Sequence, residues 1–498
     1  MIYRLLPLLF VLLLGACGRR GAAPTVQSQP PRNILLIAVD DLRPEFGAAG
    51  TAQMHTPTLD ALAARGVYFE RAYCNAAVCG ASRASLLTGT RPLLNRFRHY
   101  YTQVQVEAPE LTTLPAQLKD HGYYTAAIGK IFHEPWDMER AAWTVPPHTY
   151  GTPQLPYPPH SAGGWMNYVG AESKKLIATH GKALPYEALD TADTAYFDGL
   201  YAREAVSRLR ELAGGDRPFF LALGLLKPHL PFTPPQKYWD LYPPESIELP
   251  ATYNELPENC PRQLANFNWG ELRGGYHGVP RQGPVSDEMA RELIRGYRAS
   301  VSFIDAQLGL VLQALKDNGL ADNTLVVLWG DHGWNLGEHG FWCKHIPLET
   351  AMRTTLIIDG PGVVPDRSQA VVELVDLYPT LLDFSGIAAP NSHALAGESL
   401  LPLVYGQRDT LGENYAISGY GPATTLVGPR YNYTEYYTTE GELTERMLFD
   451  RRNDPRETRN LVELPEHAAT AERLGEQLRA RLPEAFFEVP APSYPGRQ

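Results

Sequence analysis

The stretch Ile34-Leu35-Leu36-Ile37-Ala38-Val39 runs without a polar break into Asp40-Asp41. A continuous apolar run of this length, with no alternation, reads as a strand buried on both faces of a parallel sheet. The same arrangement recurs down the chain. Residues 124–128 precede Gly129-Lys130, 219–226 precede Lys227-Pro228-His229, 324–329 precede Gly330-Asp331-His332, and 355–358 precede Asp359-Gly360. Helical spacing lies between them, at 58–65 with a stop at Gly66, and at 114–121, 198–212 and 292–318. Strands alternating with helices predict an α/β fold, a mainly parallel sheet sandwiched by helices.

In open α/β sheets ligands bind beyond the carboxyl ends of the strands. Asp40, Asp41, Lys130, His229, Asp331 and His332 each follow such an end, so they are expected to converge on one site. Residues 134–192 and 231–284 are rich in proline and aromatics and weakly periodic, which reads as long loops over that face, where specificity resides. After about residue 405 the pattern changes to short strands at 415–418, 424–427, 431–437 and 447–450, then a helix at 468–481. The expected division is a main domain over 32–405 and a smaller α+β C-terminal subdomain over 406–498.

The N-terminus carries its own signal. Arg4 precedes an apolar run over 5–14, followed by Leu14-Gly15-Ala16-Cys17. That run is short of the roughly 20 residues of a membrane span and reads as a secretory signal over 1–16. Its ending is similar to a bacterial lipobox. Cys17 would then carry lipid, 17–31 would be a polar, proline-rich tether, and the protein would be exported to the cell envelope, in the periplasm or at the outer membrane. Plain signal cleavage with secretion is the alternative. The chain has 498 residues, 44% hydrophobic and 20% charged, an ordinary globular balance, and its net charge of −11 argues against a nucleic-acid partner. Five cysteines with no Cys-x-x-Cys spacing offer neither a disulfide framework nor a zinc site.

The segment Cys79-Gly80-Ala81-Ser82-Arg83-Ala84-Ser85-Leu86-Leu87-Thr88-Gly89 resembles the signature of the type I, formylglycine-dependent sulfatases. So do the Asp40-Asp41 pair, Gly129-Lys130-Ile131-Phe132-His133, Lys227-Pro228-His229, Gly330-Asp331-His332-Gly333, and Leu336-Gly337-Glu338-His339-Gly340 followed by Lys344. The motif order is that of the family over roughly 32–460. The Lys130/His133 spacing, the Lys-Pro-His and the Asp-His pair look most like its iduronate-2-sulfatase branch. The resemblance implies an alkaline-phosphatase-like fold. It also implies oxidation of Cys79 to formylglycine by a formylglycine-generating or radical maturation enzyme. The family usually has proline where this chain has Ala81, so conversion depends on whether the host's enzyme accepts alanine.

The resemblance further implies a divalent cation, Ca²⁺ with Mg²⁺ as the alternative, held by Asp40, Asp41, Asp331, His332 and the modified Cys79. Hard carboxylate oxygens suit such a cation. By the same comparison Arg83 stabilises the hydrated aldehyde, Lys130 and Lys344 hold sulfate oxygens, Asp331 accepts the attacking proton, His229 protonates the leaving oxygen and His133 acts as a base. The implied substrate is a sulfated oligosaccharide or polysaccharide. An exo-acting enzyme on a uronic acid 2-O-sulfate is the leading expectation, with sulfated galactose or fucose as alternatives. Arg98, Arg262, Arg273 and Arg281 lie in or near the rim loops, where a uronate would need a cation. Two readings outside sulfate hydrolysis stand beside this one: a phosphomonoesterase or phosphonate hydrolase of the same superfamily, and an inactive carbohydrate-binding relative.

Overall fold

Seven residues of the first strand, Asn33–Val39, are buried along their whole length, as an unbroken apolar run requires. The computed structural model describes residues 32–149, 168–268, 270–488, 490 and 492–494. The signal segment 1–16, the tether 17–31 and Cys17 lie outside the described residues.

The strands of the main sheet are β1 (Asn33–Val39), β2 (Val67–Tyr73), β3 (Tyr124–Gly129), β4 (Phe219–Leu225), β5 (Thr324–Gly330), β6 (Leu356–Asp359) and β7 (Asp366–Glu373), with Arg353–Thr354 adding a short piece beside β2. Their order is β7-β2-β6-β5-β1-β4-β3. β5, β1, β4 and β3 are mutually parallel. β6 is antiparallel to both β5 and β2, so the sheet is mixed. The expectation that 355–358 continues the parallel set therefore fails. The connection from β5 carries only short elements, with Glu349–Met352 its helix, and lacks the long helix that usually carries a chain back for a parallel return. Because β6 reverses twice, β2 again points the same way as β5. Six strand ends, those of β7, β2, β5, β1, β4 and β3, thus open on one edge of the sheet.

The helices used below are α1 (Pro57–Arg65), α2 (Cys79–Thr88), α3 (Phe197–Leu212), α4 (Gly270–Gly275), α5 (Asp287–Asp317) and α6 (Ala468–Arg481). α5 begins where Ser286 caps it, its hydroxyl accepting from the Met289 amide at 3.2 Å, and its long apolar face packs on α3 and α1. β3 and β4 approach so closely that a Cβ on Gly224 would lie 1.9 Å from the Lys130 carbonyl oxygen. Glycine is required there, and the contact fixes Lys130 at the end of β3.

A second sheet, β8 (Ala416–Tyr420), β9 (Ala423–Val427), β10 (Tyr431–Tyr437) and β11 (Leu443–Asp450), is antiparallel throughout and forms the C-terminal subdomain. α6 covers it, burying Ala471, Leu474 and Leu478 against Leu426, Tyr433 and Leu448. Arg98, one of the four arginines that the sequence places in or near the rim loops, fastens this sheet. It is buried, and its guanidinium donates to the Leu93 carbonyl at 2.6 Å, the Ala423 carbonyl at 3.4 Å and the Thr424 hydroxyl at 3.3 Å. Burial lowers its pKa to about 10. Arg98→Ala should lower unfolding stability by about 2–3 kcal/mol, because it strands buried acceptors, and urea denaturation would measure the loss. Arg273 donates to the carbonyls of Pro280 and Gly283, while Arg262 and Arg281 are exposed. Among the described residues no helix is long and apolar enough to cross a membrane.

Candidate active site

The site lies on the edge where those strand ends meet. Asp40-Asp41 continue β1, Lys130 follows β3, Lys227 and His229 follow β4, and Asp331-His332 follow β5. α2 comes off β2 and sets Cys79 at its first turn, 2% exposed. The loop entering α2 is bonded on both sides: the Ala77 amide donates to the Gly419 carbonyl at 2.8 Å, and the His345 amide to the Ala77 carbonyl at 3.2 Å. A Cβ at Gly80 would lie 2.0 Å from the Tyr100 carbonyl oxygen, so the second residue of the signature must be glycine for the helix to sit this deep.

Arg83, one turn along α2, organises the floor. Its Nε donates to Asp331 Oδ2 at 2.9 Å and its Nη2 to Asp40 Oδ1 at 3.0 Å, while Nη1 donates to the carbonyls of Lys130 and Ile131, the latter at 3.1 Å. All three side chains are fully buried. Lys130 Nζ donates to Asp40 Oδ2 at 2.6 Å. Lys344 Nζ donates to both Asp41 oxygens at 3.1 Å and lies 4.9 Å above the Trp334 ring. Asp41 takes a left-handed conformation, φ +63°, and its amide donates to Asp331 Oδ1 at 2.9 Å. That turn aims two successive carboxylates into one volume.

The electrostatics follow from burial. Burial pushes the Asp40 carboxyl up, but Lys130 and Arg83 overcome this and hold it well below the usual range. For Asp41 burial prevails over Lys344, with the neighbouring Cys79 and Asp40 adding to it, and the carboxyl is held well above its ordinary value. Burial drives the Cys79 thiol up to about 12 against the pull of Lys130 and Lys344. An unmodified thiol there is a poor nucleophile near neutrality. Burial and Lys344 lower His229, and burial and Lys130 lower His133, both well below the ordinary imidazole value.

The donor set fits a divalent cation. The ligating atoms of Asp40, Asp41, Cys79 and His229 all lie within 4.8 Å of one another, as do those of Cys79, Asp331 and His332. His332 turns Nδ1 to the Gly333 carbonyl at 2.8 Å, which leaves Nε2 facing Cys79 Sγ at 3.2 Å and Asp41 Oδ1 at 3.3 Å. A ring fixed by a carbonyl at one nitrogen presents its lone pair at the other, as metal-ligating histidines do.

Cys79, Arg83, Lys130, His229, Asp331, His332, Lys344 and the Asp40-Asp41 pair are thus gathered at one place. His133 lies three residues after Lys130 and meets the Tyr100 ring edge-on at 6.1 Å. His339 shapes a loop instead: its ring nitrogens face the carbonyls of Glu255 at 2.7 Å and Arg456 at 2.8 Å. Glu271 and Trp334 also touch the site and are not apparent from sequence. Trp334 follows the Asp-His pair closely enough to have been noticed, but Glu271 lies on the short helix α4, inside a weakly periodic segment with no motif around it. Cys74, Cys79, Cys260 and Cys343 are all free thiols.

Residues 32–387 match the sulfatase family, and 337–483 match the C-terminal region of N-sulphoglucosamine sulphohydrolase. Iduronate 2-sulfatase of Mus musculus is 33% identical over 421 residues, 76% of this chain and 74% of that protein. Among solved structures, a protein in complex with its substrate D-glucosamine-2-N,6-O-disulfate superposes with a TM-score of 0.69 at 22% identity, covering 90% of this chain and 97% of the other. The phosphonate monoester hydrolase of Agrobacterium radiobacter also gives 0.69 at 22% identity, covering 90% and 95%, so the fold itself is shared across ester chemistries. Sequence identity at this level over three quarters of the chain, together with the family match across the whole main sheet, establishes that the chain belongs to the sulfatase family.

Proposed function

We propose that this sulfatase removes a 2-O-sulfate from a terminal uronic acid of a sulfated polysaccharide, as an exported protein lipid-anchored at Cys17. The observation that carries the chemistry is the meeting of Cys79 with three carboxylates and two lysines at one buried floor. The motifs shared with iduronate 2-sulfatase support the uronate. Cys79 as formylglycine would supply an oxygen nucleophile and a second hydroxyl for releasing sulfate. Asp40, Asp41, Asp331 and His332 would hold a divalent cation, preferentially Ca²⁺, which would offset the sulfate's negative charge.

The chain's own groups supply the remainder. Lys130 and Lys344 hold sulfate oxygens, each already oriented by an aspartate of the pair. Arg83 fixes Asp40 and Asp331 in their places, and Asp331 accepts the proton of the attacking hydroxyl. His229 turns Nε2 toward the site, because its Nδ1 donates to the Leu230 carbonyl at 2.7 Å, and as the doubly protonated imidazolium it would deliver the Nε2 proton to the leaving sugar oxygen. His133 takes up the proton released as sulfate departs.

The test is a panel of sulfated uronic acid, hexosamine, galactose and fucose oligosaccharides with a phosphonate ester as control. The uronate 2-O-sulfate should give the highest kcat/KM. Preference for a neutral sugar sulfate overturns the substrate, and preference for the phosphonate overturns sulfate specificity. Exhaustive chelation should lower turnover at least about 100-fold, with recovery on adding Ca²⁺. Full activity in a protein shown metal-free by elemental analysis would refute the cation's role.

A further inference from the structure

The rim helix α4 sends one carboxylate down to the floor. Oε1 of Glu271 accepts from Lys344 Nζ at 2.9 Å and faces His229 Nε2 at 3.1 Å. These are the two groups that the proposed function assigns to a sulfate oxygen and to the ester oxygen of the substrate. An incoming anion therefore meets an oxygen already standing between them. Glu271 is held only on that side: its Oε2 is buried without a hydrogen bond, 3.9 Å from His345 Nδ1. The helix that carries it is anchored by the buried Leu272 and is open on its glycine side. A Cβ added at Gly270, Gly274 or Gly275 would find nothing within 4 Å.

We propose that Glu271 is a specificity-determining residue of the anion pocket. Its carboxylate occupies the place of a substrate oxygen between Lys344 and His229, and a sulfate ester displaces it because the attached sugar brings contacts of its own. Inorganic sulfate lacks those contacts, so the returning carboxylate competes with it for Lys344 and favours product release. Two anions a few ångströms apart in a buried pocket repel strongly, so one must withdraw when the other binds. This inference rests on the sulfatase reading of the site.

The test titrates sodium sulfate into the calcium-loaded protein by calorimetry, comparing wild type with Glu271→Gln and Glu271→Ala, each checked for a native melting curve. Glutamine keeps the size and an oxygen for Lys344 but removes the charge. The sulfate dissociation constant should fall about tenfold in Glu271→Gln, with a matching fall in the inhibition constant of sulfate during turnover. Unchanged or weaker sulfate binding in that variant, with wild type active on a sulfate ester, overturns the role of Glu271 and leaves the sulfatase reading standing. If Glu271→Gln misfolds, the same comparison is decided by Glu271→Ala. A wild type that neither binds sulfate nor cleaves any sulfate ester overturns both.

Discussion

Cys79→Ala protein should fold like wild type and lose at least about 10⁴-fold in kcat on a sulfate ester, because the proposed nucleophile is gone while the binding groups remain. The structural cost is small. Removing one sulfur from the start of α2 leaves a cavity about the size of one atom, on the order of 1 kcal/mol. Lys130, Lys344 and Arg83 keep their aspartate partners, so sulfate binding should persist. The measurements are turnover, circular dichroism and sulfate affinity on one preparation. Intact-mass analysis of wild type belongs beside them, since a thiol held at about 12 would leave an unconverted protein almost as inactive as the variant. An alanine variant that retained wild-type turnover would end the nucleophile assignment.

Replacing Arg83 should be the most damaging substitution to stability. Arg83→Met removes a partner of two fully buried carboxylates, leaving Asp331 without its guanidinium and Asp40 with Lys130 alone. Breaking a buried pair from one side costs about 3–5 kcal/mol, and here one side chain serves two pairs. Lysine is not a conservative replacement, because one ammonium cannot reproduce a planar fork that reaches two carboxylates and two carbonyls together. Urea denaturation of Arg83→Met and Arg83→Lys should show both well below wild type, with activity lost in each. Wild-type stability in either would mean that the two aspartates are compensated elsewhere.

The parallel half of the sheet was legible in the sequence because its strands are buried on both faces and read as plain apolar runs, each ending in a functional residue. β2 and β7 were not. Glu70 and Arg71 interrupt β2, and β7 lies at the edge of the sheet, where Asp366, Arg367 and Gln369 face solvent. The direction of β6 was equally hidden, since a short apolar run looks the same in either sense. At the site, residues within one or two positions of a strand end were found because the backbone places them. Glu271 was missed because only the path of a long loop brings it to Lys344. The inward turn of Arg98 was hidden for the converse reason: its place in or near a rim loop says nothing of its side chain, which reaches the β8–β11 sheet.

The bond between the Ala77 amide and the Gly419 carbonyl, with that of the Asn75 side chain to the Ile417 carbonyl at 3.0 Å, bears on how the chain is made. The segment that carries the nucleophile is held in part by residues synthesised more than 300 positions later. During translation the Asp pair, the signature helix and both lysines would all have emerged while this wall was still missing. A chain stopped by a premature codon before β8 would contain every residue assigned to the reaction, yet the entry to α2 would lack its outer support. Nonsense mutations that stop the chain before β8 should therefore abolish function as completely as mutations in the signature itself.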